Sequence, residues 1–324
     1  MKKKLLFTAS LIAYANTLWA NPDLPGVDDF VAEMVEKHQF DAQDLQAKFK
    51  RVEVQDSILK LIARPAEKSK PWYEYREIFI TCKRIAGGIN FWQQHHVALT
   101  RAEQKFGVPA EVIISILGVE TYYGRIVGNY RVADALSTLA FRYPPRSTFF
   151  RKELEQFLVL SREEQTSFLK PVGSYAGAMG LGQFMPSSYR AYAVDFDSDG
   201  HRDIWTNPVD AIGSIANYLH RHGWVAGEGI AYKTTVSNDV ANELVKKGSK
   251  PSLSPVELEQ ADVKTACLPA NTGKVALISL SQRDGEEYWV TTQNFYSITR
   301  YNHSQMYAMA VTQLAEAIRD GYNQ

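Results

Sequence analysis

Cysteine is scarce in this chain, because only Cys82 and Cys267 occur among its 324 residues. At most one disulfide is available, and although an exported protein could form it, we expect two unpaired thiols. An excess of charge is lacking as well: 36 Lys and Arg balance 36 Asp and Glu, so the formal net charge is zero. No long basic run follows the first few residues, and no nucleic-acid partner is expected.

The chain also lacks an apolar run long enough for a comfortable membrane span. The stretch from Leu5 to Leu18 follows three lysines and is too short for that purpose. A charged start, an apolar middle and a small residue at Ala20 are typical of a secretory signal peptide over residues 1–20, although Trp19 and Leu18 fit the cleavage pattern poorly. An uncleaved N-terminal anchor is the alternative. No cysteine lies near the cleavage site, so we expect an exported, soluble protein without a lipid anchor.

What is present is an ordinary globular composition, 45% hydrophobic and 12% aromatic, with ample length for a full core and two or three lobes. Helical spacing of apolar residues dominates up to about residue 223, whereas glycine, proline and short β-branched runs follow. The sequence therefore predicts a mainly α (α+β) fold. The predicted segments are a signal peptide at 1–20, an N-terminal helical lobe at 21–106, a core at 107–223, a small β-containing lobe at 224–292 and a C-terminal segment at 293–324 that returns to the core.

Three local predictions concern helix ends. A helix that begins near Trp72 is predicted to end at Gly87-Gly88, since paired glycines favour a break. Another helix is predicted from Phe91 to Phe106. Asp134 precedes an apolar helical segment and is predicted to be its N-cap.

The strongest candidate for chemistry is the acid Glu120. Apolar residues from Val112 to Val119 predict a buried helix, and this helix runs straight into the acid. Burial disfavours the charged form, so we expect the pKa of Glu120 to be raised. A carboxyl that keeps its proton near neutral pH can donate it to a leaving oxygen, as cleavage of a bond between two sugars requires. The alternative is an acid at the edge of the core that pairs with Arg125.

Two further segments carry polar groups in unusual settings. Residues 174–187 contain three glycines and two alanines within seven positions, which lets backbone approach a ligand closely. Ser174 and Gln183 add side chains suited to hydroxyl or N-acetyl groups, although a tight packing turn would show the same composition. Residues 294–304 contain many side chains that end in a polar group, and they are predicted to be a short strand that turns into a helix.

Together the three segments resemble the lytic murein transglycosylases of the B type, glycoside hydrolase family 103. The resemblance rests on Gly-Val-Glu-Thr-x-x-Gly at 118–124, Ser-Tyr-Ala-Gly-Ala-Met-Gly-x-Gly-Gln-Phe-Met-Pro-Ser at 174–187 and Asn-Phe-Tyr-x-Ile-Thr-Arg-Tyr-Asn at 294–302. It implies a periplasmic monomer with a lysozyme-like catalytic core, an added helical lobe and a small β-containing lobe. Its implied partners are peptidoglycan glycan strands, with cell-wall synthesis or divisome proteins to consider as well.

The resemblance also implies a reaction and its residues. The β-1,4 bond between N-acetylmuramic acid and N-acetylglucosamine is broken when the muramyl 6-hydroxyl, not water, attacks the anomeric carbon and leaves a 1,6-anhydro sugar. Glu120 would be the only catalytic residue, first as acid and then as base, whereas a hydrolase normally needs two carboxylates. The implied substrate-binding residues are Ser174, Gln183, Tyr301, Asn302, Tyr307, Tyr75, Tyr218, Phe149 and Arg146.

Two positions depart from the family pattern. Phe149 stands where the family can have tyrosine, which removes one hydroxyl contact. Arg146 is a single arginine where two adjacent ones can occur, which leaves one cation at an outer sugar site.

A metal loop is predicted at residues 195–210. Acids occupy positions one, three, five and nine of an EF-hand-like pattern, and a glycine at position six allows the sharp turn. Oxygen-rich ligands favour Ca²⁺, which would brace the loop without entering the reaction, and no organic cofactor is expected. The expected ligands are Asp195, Asp197, Asp199, the backbone carbonyl of His201 and Asp210.

The end of this loop is irregular. Position twelve is Thr206 instead of glutamate, and the family resemblance nominates Asp210 as the closing carboxylate. Asn207-Pro208 before it is also a plausible helix start with asparagine as the cap, so Asp210 could simply belong to a first helical turn. An acidic turn that binds no ion tightly is the alternative for the whole loop.

Two rival functions remain open. A hydrolytic muramidase would cut the same bond with water, and a non-catalytic peptidoglycan-binding protein would keep the cleft without turnover. The presence of both Glu120 and Gln183 favours an enzyme over the second rival.

Overall fold

The computed structural model describes residues 21, 23–63, 70–236, 238–266 and 268–324. The predicted signal peptide and Cys267 lie outside these residues, and Cys82 is an exposed, free thiol. Within the described part of the chain, helices predominate and strands are few and short, which confirms the predicted mainly α class. None of the helices described is long and apolar enough to cross a membrane.

Helices form most of the molecule, and a 3₁₀ turn, Pro144–Arg146, leads into one of them. In chain order the helices are α1 (Val27–His38), α2 (Ala42–Phe49), α3 (Asp56–Ile62), α4 (Trp72–Phe79), α5 (Cys82–Phe106), α6 (Ala110–Thr121), α7 (Val132–Arg142), α8 (Ser147–Glu163), α9 (Pro186–Tyr192), α10 (Pro208–Arg221), α11 (Asn238–Val245), α12 (Pro255–Gln260), α13 (Gln293–Tyr301) and α14 (Gln305–Tyr322).

Two antiparallel sheets are present among the described residues. The strands are β1 (Tyr130–Arg131), β2 (Val172–Gly173), β3 (Ala231–Thr234), β4 (Ala276–Gln282) and β5 (Gly285–Thr291). β1 pairs with β2, and the other three form a sheet in the order β3-β5-β4. In that sheet β5 is central, so that Thr291 lies opposite both Ala231 and Ala276. Strands β3, β4 and β5 all follow residue 223, where the sequence predicts short β-branched runs, and this prediction is confirmed.

Helix α6 lies at the centre of the main core. Its residues from Val112 to Gly118 are all buried, and it packs against α5, α10 and α14. Because apolar side chains cover every side of α6, only a fully enclosed position satisfies them. The prediction of a buried helix that leads into Glu120 is therefore confirmed.

A second, smaller core lies under the three-stranded sheet. Leu253, Leu258 and Val290 belong to it. Strand β4 divides its side chains between the two cores, with Leu277 in the smaller one and Ile278 in the main one. This alternation is the period of two of a strand, and it fixes the sheet between the two cores.

The predicted helix end at Gly87-Gly88 is wrong, because α5 continues through both glycines. The break comes earlier, at Ile80 and Thr81, where α4 has ended and the Thr81 hydroxyl caps α5. At Gly88 a Cβ would lie 2.5 Å from a methyl carbon of Ile318. The glycine is thus a point of close helix packing, and its cost in helix propensity is outweighed by that contact.

The predicted N-cap role of Asp134 is also wrong. Asp134 lies inside the first turn of α7, and Arg131 occupies the cap position. Its buried carboxylate accepts hydrogen bonds from the backbone N–H of Glu53 at 3.0 Å and from Nε of Arg131 at 2.6 Å. Asp134 therefore ties an N-terminal segment to α7.

Candidate active site

Glu120 lies in the last turn of α6, half-buried, where the enclosed part of that helix ends. The helix stops because Tyr122, Tyr123 and Gly124 all adopt left-handed backbone conformations, with φ of 52°, 61° and 85°. The chain therefore turns away immediately after the acid, and its carboxyl lies at the boundary of the core. The expectation that burial raises the pKa of Glu120 stays a prediction.

Tyr123 fixes this boundary by filling a gap between α5 and α6. A Cβ would lie 2.8 Å from its ring at Gly87 and 2.7 Å from its hydroxyl at Gly118. The hydroxyl of Tyr123 donates a hydrogen bond to the Arg84 carbonyl at 2.7 Å. Glycines on both helices thus make room for one ring next to Glu120. The sequence signal for this packing is the glycines themselves, although the predicted helix end at Gly87-Gly88 assigned two of them to a break.

Tyr307 holds the catalytic candidate directly. It lies in the first turn of α14, where the Ser304 hydroxyl caps the helix by accepting the N–H of Tyr307 at 3.2 Å. The Tyr307 hydroxyl donates to Oε1 of Glu120 at 2.6 Å. Burial, and then the neighbouring charge of Glu120, raise the pKa of Tyr307 well above its usual value. The phenol therefore stays protonated and remains a donor throughout the neutral range.

Tyr301 lies beside Tyr307, at the end of α13. The two rings are nearly parallel, at an interplanar angle of 7° and a centroid distance of 6.5 Å. The Tyr301 hydroxyl donates to the carbonyl of Gly182, and burial raises the pKa of this tyrosine as well. Tyr218 of α10 packs edge-on against Tyr301, with 4.8 Å between the two ring centroids. Asn302 follows directly at the C-cap of α13. The short strand predicted at the start of residues 294–304 is wrong, because α13 already begins at Gln293.

The glycine-rich segment is hydrogen-bonded to the residues that follow Glu120. The Thr121 hydroxyl donates to the Leu181 carbonyl at 2.9 Å. From the segment itself, the Gln183 side-chain N–H group donates to the carbonyls of Val127 at 3.2 Å and Gly180 at 2.9 Å. Thr121 is absent from the residues predicted from sequence, although its hydroxyl connects helix α6 to the glycine-rich segment.

Ser174 stabilises the start of the same segment. Its side-chain oxygen accepts the N–H of Ala178 at 3.0 Å, and its backbone N–H donates to the Ala178 carbonyl at 2.8 Å. Ser174 is half-buried, so its hydroxyl hydrogen can still reach a ligand. The predicted alternatives of a packing turn and a ligand-binding loop are therefore both compatible with this segment.

The remaining predicted residues divide into two places. Tyr75 of α4 is 3% exposed and close enough to Tyr307 to contribute to its raised pKa. Arg146 and Phe149, at the start of α8, are exposed and contact each other, with the guanidinium 4.5 Å from the ring centroid. The structure thus gathers the four tyrosines with Glu120, whereas this pair forms a separate contact on α8.

The metal loop brings three carboxylates together. Oxygens of Asp195, Asp197 and Asp210 all lie within 4.8 Å of one another. Oxygen ligands lie at about 2.3–2.6 Å from Ca²⁺, so two ligands on opposite sides of the ion are separated by roughly 5 Å. The spacing and the hard oxygen donors therefore fit a calcium ion.

Backbone N–H groups hold the carboxylates of this loop in place without an ion. Asp195 accepts three backbone N–H groups, from Ser198, Asp199 and Gly200. Asp210 is fully buried in the first turn of α10 and accepts the N–H groups of Phe196 at 2.7 Å and Asp203 at 2.8 Å.

The rest of the loop shows mixed agreement with the expected ligands. Asn207 caps α10, as the sequence predicted, and its side chain also donates to Asp197 at 2.8 Å. The Asp199 carboxylate accepts the N–H of His201 at 2.8 Å and does not belong to the three-carboxylate group. The ligand roles of Asp199 and the His201 carbonyl stay predictions.

Comparison with known proteins gives a consistent family. Residues 23–316 match the family described as Transglycosylase SLT domain. The chain is 46% identical over 303 residues to the membrane-bound lytic murein transglycosylase B of Escherichia coli (strain K12), covering 91% of this chain and 82% of that protein.

Solved structures agree with this match. The soluble lytic transglycosylase SltB1 from Pseudomonas aeruginosa is 51% identical and superposes with a TM-score of 0.87, covering 93% of this chain and all of that one. The Escherichia coli lytic transglycosylase Slt35 in complex with calcium is 44% identical with a TM-score of 0.84, covering 93% of this chain and 95% of that one.

Proposed function

Since the chain belongs to the transglycosylase SLT domain family, we propose that this enzyme is a peptidoglycan lytic transglycosylase in which Glu120 is the acid and then the base. Its fold is mainly α with a lysozyme-like core. The observation that carries the assignment is the position of Glu120, at the end of a buried helix and hydrogen-bonded to Tyr307.

In the first step the Glu120 carboxyl donates its proton to the oxygen that bridges the two sugars. The bond from that oxygen to the anomeric carbon of the muramyl residue breaks, and the leaving sugar departs with a hydroxyl group. The substrate's own N-acetyl oxygen can stabilise the positive charge that develops. Tyr307 keeps the carboxyl in one orientation, because its hydroxyl donates a hydrogen bond to Oε1 of Glu120.

In the second step the Glu120 carboxylate takes the proton of the muramyl 6-hydroxyl. That oxygen bonds to the anomeric carbon, and the 1,6-anhydro product leaves the enzyme. Glu120 is then protonated again and ready for the next cleavage. No water is consumed, so one carboxyl suffices. Ser174, Gln183, Tyr301 and Asn302 would position the sugars around this carboxyl.

The structure weakens the case for the hydrolytic rival. Asp134, the next acid after Glu120 along the chain, is 2% exposed and bonded to Arg131 and the Glu53 backbone. An acid fixed in that way cannot activate a water molecule in the cleft. This favours intramolecular attack over hydrolysis.

Calcium, bound by Asp195, Asp197 and Asp210, would brace the loop in front of α10. The ion would neutralise three converging carboxylates, and it takes no part in either step. The predicted ligands Asp199 and His201 would complete the site. The solved relative in complex with calcium supports this proposal.

We further propose that residues 1–20 direct export to the periplasm, where the enzyme acts as a monomer on peptidoglycan glycan strands. The lobes proposed at 21–106, 107–223, 224–292 and 293–324 would frame the cleft. Tyr75 and Tyr218 would line the site beside Tyr307 and Tyr301, and Arg146 and Phe149 would contact sugars further from the scissile bond. Cell-wall synthesis or divisome proteins are the proposed protein partners.

Digestion of purified peptidoglycan tests the function. Mass spectrometry of the fragments should show 1,6-anhydromuramyl ends with the wild-type protein and none with Glu120→Gln. Reducing muramyl ends would identify a muramidase instead. If the wild-type protein released no fragments yet bound peptidoglycan, the non-catalytic alternative would hold.

A further inference from the structure

A groove of about 490 Å³ lies between the three-stranded sheet and helices α4 and α14. Its volume falls within the range of small-molecule sites. Nothing in the catalytic steps uses it. The walls are formed by Arg76 of α4, Gln313 of α14, and Lys233, Gln282, Glu287 and Trp289 of the sheet.

The groove contains one cation without a carboxylate partner. Nε of Arg76 donates to the Gln313 side-chain oxygen at 2.6 Å, and among the described residues no carboxylate forms an ion pair with this exposed guanidinium. Lys233 is instead paired with Glu287 at 2.8 Å. The guanidinium of Arg76, which has no carboxylate partner in the part of the chain that the structure describes, can therefore pair with a carboxylate of a ligand. The Glu287 carboxylate can exchange Lys233 for an ammonium group of the same ligand.

The aromatic wall leaves a donor unsatisfied. The indole N–H of Trp289 is buried and has no hydrogen-bond partner. Burial acts to raise the pKa of the neighbouring Glu287, but its polar neighbours, Lys233 first among them, outweigh burial and lower that pKa. Glu287 is therefore ionised at neutral pH. The charges that the groove presents to a ligand are thus the exposed Arg76 guanidinium and the Glu287 carboxylate.

The groove lies within reach of the catalytic candidate. Arg76 directly follows Tyr75, whose neighbour Tyr307 is bonded to Glu120. Gln313 follows Tyr307 by six residues on α14, which corresponds to about 9 Å along a helix. A peptide of about five residues that starts near Glu120 extends up to roughly 17 Å. A peptide attached to a sugar beside Glu120 is therefore long enough to span the axial distance between Tyr307 and Gln313.

We infer that this groove binds the stem peptide of the glycan strand, with Arg76 on a peptide carboxylate and Glu287 on a peptide amine. The inference rests on the proposed function, because it takes peptidoglycan as the substrate. In the intact strand the lactyl carboxyl of the muramyl residue is held in an amide bond, so free carboxylates and amines occur only in the stem peptide. Removal of the peptide frees the lactyl carboxylate, but this group lies directly on the sugar and carries no amine, so the charges of the groove select the peptide part of the substrate. The Trp289 ring supplies the apolar wall against which such a peptide can lie.

The experiment compares stem-bearing glycan strands with the same strands after their peptides have been removed. Arg76→Ala should raise KM about fivefold on stem-bearing strands, the size of effect that one exposed ion pair gives, and leave KM on bare strands unchanged. Arg76→Lys should recover part of the loss. Arg221→Ala removes the same charge from an exposed position outside the groove and should change neither value.

Binding to the inactive Glu120→Gln protein decides the inference independently of turnover. Calorimetry should show tighter binding of a stem-bearing fragment than of the bare one, and Arg76→Ala should abolish that preference. No preference, or a preference that survives Arg76→Ala, would overturn the inference. Absence of anhydro products from the wild-type protein on both substrates would instead overturn the proposed function.

Discussion

The surroundings of Glu120 and the loop at 195–210 both hold carboxylates in place, but by different means. At Glu120, side chains from distant parts of the chain do so: Tyr307 bonds to Glu120 across 187 positions. In the loop, backbone N–H groups only a few residues away bond to Asp195. The Glu120 carboxyl is thus oriented by the packed core, whereas the loop carboxylates converge locally, where a bound cation would offset their repulsion. Disturbing the core should therefore change activity, and disturbing the loop should mainly change stability.

The largest effect is expected at the acid itself. Glu120→Gln keeps the shape of the side chain but removes its proton chemistry, so kcat should fall roughly a thousandfold or more. Glu111→Gln changes a half-buried acid in the first turn of the same helix and should leave activity near wild type. Release of anhydro fragments measures both variants. Retention of a substantial rate in Glu120→Gln would contradict the assigned role.

The tyrosine that holds the acid should come next. Tyr307→Phe removes the hydrogen bond to Glu120, and kcat should fall about tenfold to a hundredfold because the carboxyl loses its fixed orientation. Tyr189→Phe is the control, since it removes a buried hydroxyl whose partner is the Arg202 carbonyl. Equal losses of kcat in the two variants would show that the effect is general destabilisation. Because the pKa of Tyr307 is raised well above its usual value, its ionisation should not limit activity below about pH 10.

A third prediction addresses how the core positions the acid. Gly118→Ala would place a Cβ 2.7 Å from the Tyr123 hydroxyl, and the free energy of unfolding should drop by about 1–3 kcal/mol from overpacking. Gly273→Ala meets no atom within 4 Å and should change stability little. Urea unfolding of the two variants measures the difference. Wild-type stability in Gly118→Ala would mean that Tyr123 is not tightly enclosed.

The smallest effect is expected in the loop. Millimolar Ca²⁺ should raise the melting temperature of the wild-type protein by about 2–4 °C through binding to the folded state. Asp197→Asn should lose this rise, and Asp239→Asn, an exposed acid outside the loop, should keep it. The catalytic rate at a temperature where all forms are folded should change little. Identical melting curves with and without Ca²⁺ would count against the calcium site.

The same contrast explains what sequence reasoning could predict. Local patterns gave the buried helix α6, the Asn207 cap and the two main strands, because each depends on residues a few positions apart. The convergence of Asp195 and Asp197 was also accessible from spacing alone. Asp210 lies farther along, and only the family resemblance nominated it.

Long-range contacts were not accessible in this way. The bond between Tyr307 and Glu120 joins distant segments, so the residue pattern by itself gave no sign of it. Gly87 and Gly88 misled the helix prediction because their role is to accommodate Tyr123 and Ile318, which lie elsewhere in the chain. Asp134 misled the prediction of its helix cap. An aspartate that caps a helix and an aspartate that is a buried partner of Arg131 look alike in the local sequence.

The central claim is that the muramyl hydroxyl, and not water, completes the reaction started by Glu120. Digestion of peptidoglycan in water enriched in heavy oxygen tests this most directly, with mass spectrometry of the new muramyl ends. The account predicts anhydro ends without any heavy oxygen. Ends that carry one heavy oxygen atom per cleavage would contradict it.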